Sequence, residues 1–381
     1  MDDLALHGAL IGAPGGRAEL NTPVLVVDLD ALDRNIARMA AFAAEHGVAL
    51  RPHAKTHKSV DVAKRQIEAG AIGQCCAKLG EAEALAEGGV DGLHITYPVV
   101  SRPAIARLAA LNERLSSLTV VVDHPDNARA LAEAVPPTGR RLGVIIDIDP
   151  GIRRTGVASP EAAVALAQAI ASLPALHWRG VQFYCGAEQH IEGYEARRDA
   201  IAMKADYLRG VLAALAQAGF EPEIVTGGGT GTYRIDVGLS VFTELQVGSY
   251  IFMDDQYAAC ALTPDDPRPF ETSLMIDARV ISANAAPIVT IDAGFKAFST
   301  DADRPHILSG APEGSSYVFM GDEHGAVVLA PGANERPGLG DRVTLAAPHC
   351  DPTVNLYDSY HVVRGEDLVA IWPVSARGRS R

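Results

Sequence analysis

Short apolar runs alternate with helix-spaced apolar stripes over residues 22–250, and this alternation organises the chain. The strand-like runs read PVLVVDL (23–29), ALRPHAK (49–55), GQCCAKL (73–79), GLHITYP (92–98), LTVVVDH (118–124), RLGVIIDID (141–149), LHWRGVQFY (176–184), EIVTGG (223–228) and TELQVGSY (243–250). Many are apolar at successive positions, as strands of a parallel sheet covered by helices on its outer face should be. Amphipathic helices fill most of the intervals. The first carries Leu32, Ile36, Met39 and Ala43 on one stripe, is expected to start at Asp30 and stops at Gly47. The longest carries Ile201, Ala205, Leu208, Leu212 and Leu215 and closes at Gly219. Repeated βα units predict an α/β protein built on a parallel sheet, open or closed into a barrel. Nine runs is one too many for an eightfold barrel, so the first or the last belongs elsewhere.

Beyond about residue 262 the pattern changes. SLMIDARVIS, APIVTIDAG, SSYVFM, GAVVLA, DRVTLAAPH and YHVVRGEDLVAIWPV are β-rich and separated by Pro, Gly, Asp and Asn turns, which predicts a second, mainly antiparallel domain after the turn-rich TPDDPRP (263–269). The final ARGRSR reads as a solvated tail. With 33 basic and 47 acidic residues the net charge is −14, which disfavours nucleic acid and anionic membrane surfaces as partners. Hydrophobic residues make up 48% and charged residues 21%, which excludes a disordered chain. Five cysteines without a paired framework read as reduced thiols of a cytoplasmic protein. MDDLALHGALIGAPGG lacks a basic start and a long apolar core, so no signal peptide is expected, and no apolar run reaches membrane-spanning length.

Chemistry concentrates at the predicted strand ends. Lys55 sits where ALRPHAK ends and a helix begins, with His53 on the same face. At a barrel mouth such a lysine is expected to be partly desolvated, with its pKa lowered, and able to condense with an aldehyde cofactor; on an ordinary helix start it would be a surface charge. Gly228, Gly229 and Thr230 follow the seventh barrel strand when counting starts at ALRPHAK, and Gly248, Ser249 and Tyr250 end the eighth. These are the loops in which barrels most often bind phosphate. No GxGxxG follows the first strand, so a nicotinamide cofactor has no support. In an extended segment His349 and Asp351 face one side and Cys350 the other, a compact mixed N/O chelate suited to Mn²⁺ or Mg²⁺, or else a simple His–Asp pair in a turn. Arg153 and Arg154 follow the fifth strand, where an arginine could face a pyridine nitrogen or an anionic substrate group. Tyr184 and His190 follow the sixth and are candidate acids or bases. Asp322, Glu323 and His324 form a turn in the second domain.

Taken together, TPVLVVDLDALDRNI, RPHAKTHK, TGGGTGT, ELQVGSYIFMD, IDAGFK, DEHG and HCDPTVNLYD, in this order, resemble the D-threonine aldolase family of fold-type III pyridoxal-phosphate enzymes. Its relatives include 3-hydroxy-D-aspartate aldolases and, more distantly, D-serine dehydratases and alanine racemases. The resemblance runs from about Thr22 to Val374. It implies a (β/α)8 TIM-type barrel of the alanine racemase type over residues 30–262. It also implies a mainly antiparallel β domain from 1–29 and 263–381 and a homodimer. The implied cofactors are pyridoxal 5'-phosphate and a divalent metal, with Lys55 as the Schiff-base lysine and His349 and Asp351 as metal ligands. Arg154 matches the arginine near the pyridine ring. His190 and Tyr184 match active-site positions, and Asp322 and His324 fall in the DEHG motif expected to close over the substrate. Relatives commonly carry Gln where this chain has Ala77, so no cofactor contact is carried over there. The implied reaction is retro-aldol cleavage of a D-β-hydroxy-α-amino acid, giving glycine and acetaldehyde from D-threonine or glycine and glyoxylate from 3-hydroxy-D-aspartate. A dehydratase would be expected to carry a His-x-Cys pair, and here the third residue is Asp351.

Overall fold

A computed structural model describes residues 2–381. Eight parallel strands form the barrel: Ala49–Leu50, Gln74–Cys76, Leu93–Ile95, Leu118–Val122, Leu142–Asp147, Leu176–Phe183, Ile224–Gly227 and Glu244–Leu245. The first and last pair at Ala49–Glu244, and a bridge between His53 and Cys75 joins the first to the second and closes the ring. Alternating helices cover the outside and bury Leu79, Leu93, Val120, Ile146 and Leu208 between the two layers. The barrel interior is polar in part. Arg51 makes a bidentate, buried ion pair with Glu244 at 3.1 Å, and Gln182 Oε1 accepts from His94 Nε2 at 3.0 Å and Gln246 Nε2 at 3.1 Å.

The first of the nine apolar runs, Val24–Asp28, lies outside the barrel. It pairs antiparallel with Leu274–Ser282 and parallel with Ser359–Arg364 in a second sheet whose other pairings are antiparallel. That sheet also contains Ile307–Ser309, a short strand with no clear alternation in the sequence. The helix predicted from Asp30 starts earlier, at Leu29, because Asp28 Oδ1 accepts from Ala31 N at 3.0 Å and so provides the cap. It ends at Gly47, whose φ of 65° closes the last turn. Its buried stripe, Tyr250, Phe252 and the second sheet's Ile276, Val289 and Tyr360 belong to one hydrophobic cluster. Arg377–Arg381 of the ARGRSR tail are exposed as expected, but its backbone is anchored. Ala376 is buried and donates its N–H to Lys58 O at 2.8 Å, and a Cβ on Gly80 would lie 2.5 Å from Arg379 O. Backbone packing against a small-residue helix start holds it. All five cysteines are free and buried. Among the described residues no helix is long and apolar enough to cross a membrane.

Candidate active site

The barrel strands end around a cavity of about 640 Å³. Of the residues singled out from the sequence, Lys55, Arg154, Tyr184, Gly229, Thr230, Gly248 and Ser249 line it. Lys55 reaches it from the turn after the His53–Cys75 bridge, and its Nζ lies 3.4 Å from Asp351 Oδ2. This brings a carboxylate from the segment after the second sheet's Arg342–Ala346 strand to the barrel's lysine. The contact reverses the expected direction of the lysine's pKa: the Asp351 charge outweighs burial and raises it. Burial alone would raise the Asp351 carboxyl, yet Lys55 and His349 hold it below its ordinary value. His53 is held neutral, first by burial and then by the Lys55 charge. Its Nδ1 accepts from Lys55 N at 3.4 Å and its Nε2 lies 3.3 Å from Thr96 Oγ1.

The two glycine loops make a cradle that a side chain would fill. A Cβ on Gly248 would lie 2.6 Å from Thr56 Oγ1, and one on Gly229 would lie 2.5 Å from Gln189 Oε1. Thr56 Oγ1 is buried and has no hydrogen-bond partner among the described residues. Thr230 Oγ1 accepts from Tyr250 N at 3.0 Å, which leaves its own proton free to donate. A close-fitting hydroxyl cradle beside a lysine suits a phosphate-bearing aldehyde. Gly228 and Tyr250 stand behind this wall. Gly228 adopts φ +70° against Asp236, and the buried Tyr250 hydroxyl accepts from Gln66 Nε2 at 2.9 Å. Both arginines are exposed, but Arg154 lies over the Tyr184 ring, 5.7 Å from its centroid, at the cavity, whereas Arg153 places its N–H on Asp149 Oδ1 at 3.1 Å.

The HCDPT segment is not the extended strand its alternation suggested. His349 is extended, at φ −142°, but Cys350–Val354 turns into a short helix, with Pro352 in its first turn where a missing N–H is tolerated. Cys350 N donates to Asp254 Oδ2 at 2.8 Å, which buries the thiol and sets Asp351 toward Lys55. His349 Nδ1 lies 2.7 Å from Asp301 Oδ2, a residue with no sequence signal, since its loop shows neither periodicity nor motif. The donor set, an imidazole and an ionised carboxylate with no free thiolate, fits a hard or borderline divalent cation. His190 ends the Ala187–His190 turn with one side open to solvent and its ring tilted against Tyr257, centroids 4.5 Å apart; partial desolvation there, then the nearby His349 and Lys55, lower its pKa. Asp322 and His324 are exposed on the turn between Ser316–Phe319 and Gly325–Val328 and do not line the cavity.

Several lining residues escaped the sequence reading: Lys78, Thr96, Tyr97, Asp123, Gln246 and Tyr257. Most of them lie within two residues of a strand's C-terminal end, a position that could have revealed them. Elsewhere, Asp3, His7 and His361 bring donor atoms within 4.8 Å of one another. His7 Nε2 accepts from Asn21 N at 3.0 Å, so its Nδ1 carries the proton and donates to His361 Nε2 at 2.8 Å. That hydrogen-bonded chain occupies both facing nitrogens and is a structural clasp.

Residues 27–256 match the family model "Alanine racemase, N-terminal domain", and residues 273–363 match the "Putative serine dehydratase domain". The chain is 39% identical over 364 residues to the D-threonine aldolase of Arthrobacter sp, covering 96% of this chain and 94% of that one. It is 38% identical over 366 residues to the 3-hydroxy-D-aspartate aldolase of Paracoccus denitrificans (strain Pd 1222), covering 95% and 93%. The crystal structure of D-threonine aldolase from Filomicrobium marinum superposes with a TM-score of 0.90 at 37% identity, over 96% of this chain and 97% of the other.

Proposed function

We propose, from the premise that this chain belongs to the D-threonine aldolase family and is a lyase of the pyridoxal-phosphate barrel type, that it cleaves the Cα–Cβ bond of D-threonine to give glycine and acetaldehyde. One observation carries this reading: Asp351 of the HCDPT segment lies 3.4 Å from Lys55, so the two motifs meet at one reacting point. A racemase has no need of such a pairing.

Pyridoxal phosphate would supply an electron sink for the pair released when Cα–Cβ breaks. Lys55 would anchor its aldehyde, and Asp351 would fix the direction of the lysine's Nζ. Thr230, Ser249 and the Gly229 and Gly248 backbones would hold its phosphate. Arg154, kept in place over Tyr184, would face the pyridine nitrogen and disfavour a proton there. His349 and Asp351 would hold Mn²⁺ or Mg²⁺, whose Lewis acidity acts on a β-hydroxyl. His190, whose pKa is lowered so that the neutral imidazole is favoured, would accept the β-hydroxyl proton at a ring nitrogen. Tyr257 and Tyr97 line the cavity and would limit the access of water to the reacting carbon.

A second reading, 3-hydroxy-D-aspartate as substrate, is favoured by Lys78. Its Nζ sits 4.6 Å from the Tyr97 ring centroid on the cavity wall and offers a cation to a β-carboxylate. A product assay with Mn²⁺ and cofactor separates the readings. Glycine and acetaldehyde from D-threonine are expected, and glycine and glyoxylate from 3-hydroxy-D-aspartate would favour the second substrate. Pyruvate and ammonia from D-serine as the dominant products would overturn an aldolase. Lys55→Ala should lose both the activity and the long-wavelength absorbance of the bound cofactor.

A further inference from the structure

His349 has one ring nitrogen already engaged. Its Nδ1 lies 2.7 Å from Asp301 Oδ2, and a carboxylate oxygen accepts, so Nδ1 is the donor and Nε2 is the nitrogen left for a cation. The contact is built rather than incidental. Ser299 N donates to Thr353 Oγ1 at 3.0 Å, Ser299 Oγ donates to His349 O at 3.2 Å, and Tyr357 OH donates to Ala297 O at 2.9 Å. Three hydrogen bonds therefore clasp the 297–301 loop to the segment bearing His349, two residues from Asp301 at their nearest. Asp254 Oδ2 also accepts from Cys350 N at 2.8 Å, so the peptide that follows His349 is held at both its carbonyl and its N–H.

We propose that Asp301 is a positioning residue for His349: it locks the imidazole in the Nδ1–H tautomer, fixes the ring's orientation and increases the basicity of Nε2 toward a divalent cation. Asp301 Oδ2 sits on Nδ1, and the two ring nitrogens point away from each other, so Asp301 acts through His349 and not as a ligand to a cation on Nε2. A carboxylate on the distal nitrogen is the arrangement that makes an imidazole a strong and directed ligand. The proposal rests on the reading of His349 and Asp351 as metal ligands.

The test is titration of Mn²⁺ into cofactor-loaded enzyme, with free Mn²⁺ followed by electron paramagnetic resonance. Wild type should take up Mn²⁺ and His349→Ala should not. Asp301→Asn keeps the shape of the side chain but loses its charge, and should bind roughly 10–100-fold more weakly, whereas Asp301→Glu should recover most of the affinity. Thermal midpoint and cofactor absorbance should match wild type in both Asp301 variants, which separates positioning from damage to the fold. Asp301→Asn binding within about twofold of wild type overturns the proposal, because the expected loss is tenfold or more. A loss as complete as that of His349→Ala makes Asp301 a ligand and overturns it too. If wild type takes up no Mn²⁺, or His349→Ala binds as wild type does, the metal reading itself fails and the proposal falls with it.

Discussion

Asp147 and Lys55 show how single side chains depart from their ordinary chemistry for opposite reasons. Burial at the end of the Leu142–Asp147 strand pushes Asp147 from 3.8 up to about 6, against the pull of hydrogen bonds donated by Thr155 Oγ1 at 2.7 Å and Gln182 Nε2 at 2.9 Å. A raised pKa means that the folded state holds the proton more tightly than the unfolded chain. The contribution to stability is therefore complete below about pH 3.8 and is lost as pH rises through about 6. Asp147→Asn cannot ionise, and its amide can still accept from Gln182 and donate to Thr155. It should be more stable than wild type by up to roughly 3 kcal/mol at about pH 8, with the gain fading by about pH 4.5. Urea midpoints at the two pH values check this, and an equal gain at both would refute it. For Lys55 burial loses instead. The carboxylate 3.4 Å away dominates, and no local feature of RPHAKTHK announced it, because Asp351 arrives from the other sheet.

At the scale of elements, the site is a ring of strand ends supplemented by two glycine loops. Gly248 sits at φ −122°, which any residue adopts, so its requirement is space rather than conformation. A Cβ there would lie 2.6 Å from Thr56 Oγ1, and Thr56 is fully buried and β-branched, with nowhere to swing. Gly248→Ala should weaken cofactor binding about tenfold, the effect of about 1.4 kcal/mol of overpacking in the cradle. Titration of apo-enzyme with pyridoxal phosphate would show it, and unchanged affinity would mean that the loop does not touch the cofactor. Apolar runs, the Gly47 stop and the strand-end motifs were legible in the sequence because they follow local periodicity and local backbone need. The bend of HCDPT into a helix was signalled only by Pro352, a residue compatible with either structure. Asp301 was invisible for a different reason. Its partner His349 is reached only after the loop is clasped by Ser299, Thr353 and Tyr357, and such tertiary contacts leave no spacing to read.

At the scale of the whole molecule, a chain of net charge −14 encloses a cavity that bears Lys55, Lys78 and Arg154 against a single lining carboxylate, Asp123. The Lys55–Asp351 contact requires barrel and second sheet to hold together, since Asp351 lies on the short helix that follows the second sheet's Arg342–Ala346 strand. Their packing is continuous. Phe252, fully buried just after the last barrel strand, lies 5.8 Å from the Tyr360 ring of the second sheet, and its carbonyl accepts from Ser273 N at 3.0 Å. The helix Leu29–His46 joins the same cluster and donates from Asn35 Nδ2 to Ile251 O at 3.1 Å and Glu271 O at 2.8 Å. If barrel and sheet were separately stable, Phe252→Ala would loosen their contact and resolve two melting transitions. With one shared core, the lost side chain destabilises everything at once, by about 3–5 kcal/mol for a buried phenylalanine. Scanning calorimetry of Phe252→Ala should therefore show one transition at a lower midpoint, with calorimetric and van't Hoff enthalpies in agreement. Two resolved peaks would mean that the halves fold independently, and that the Lys55–Asp351 contact depends on docking alone.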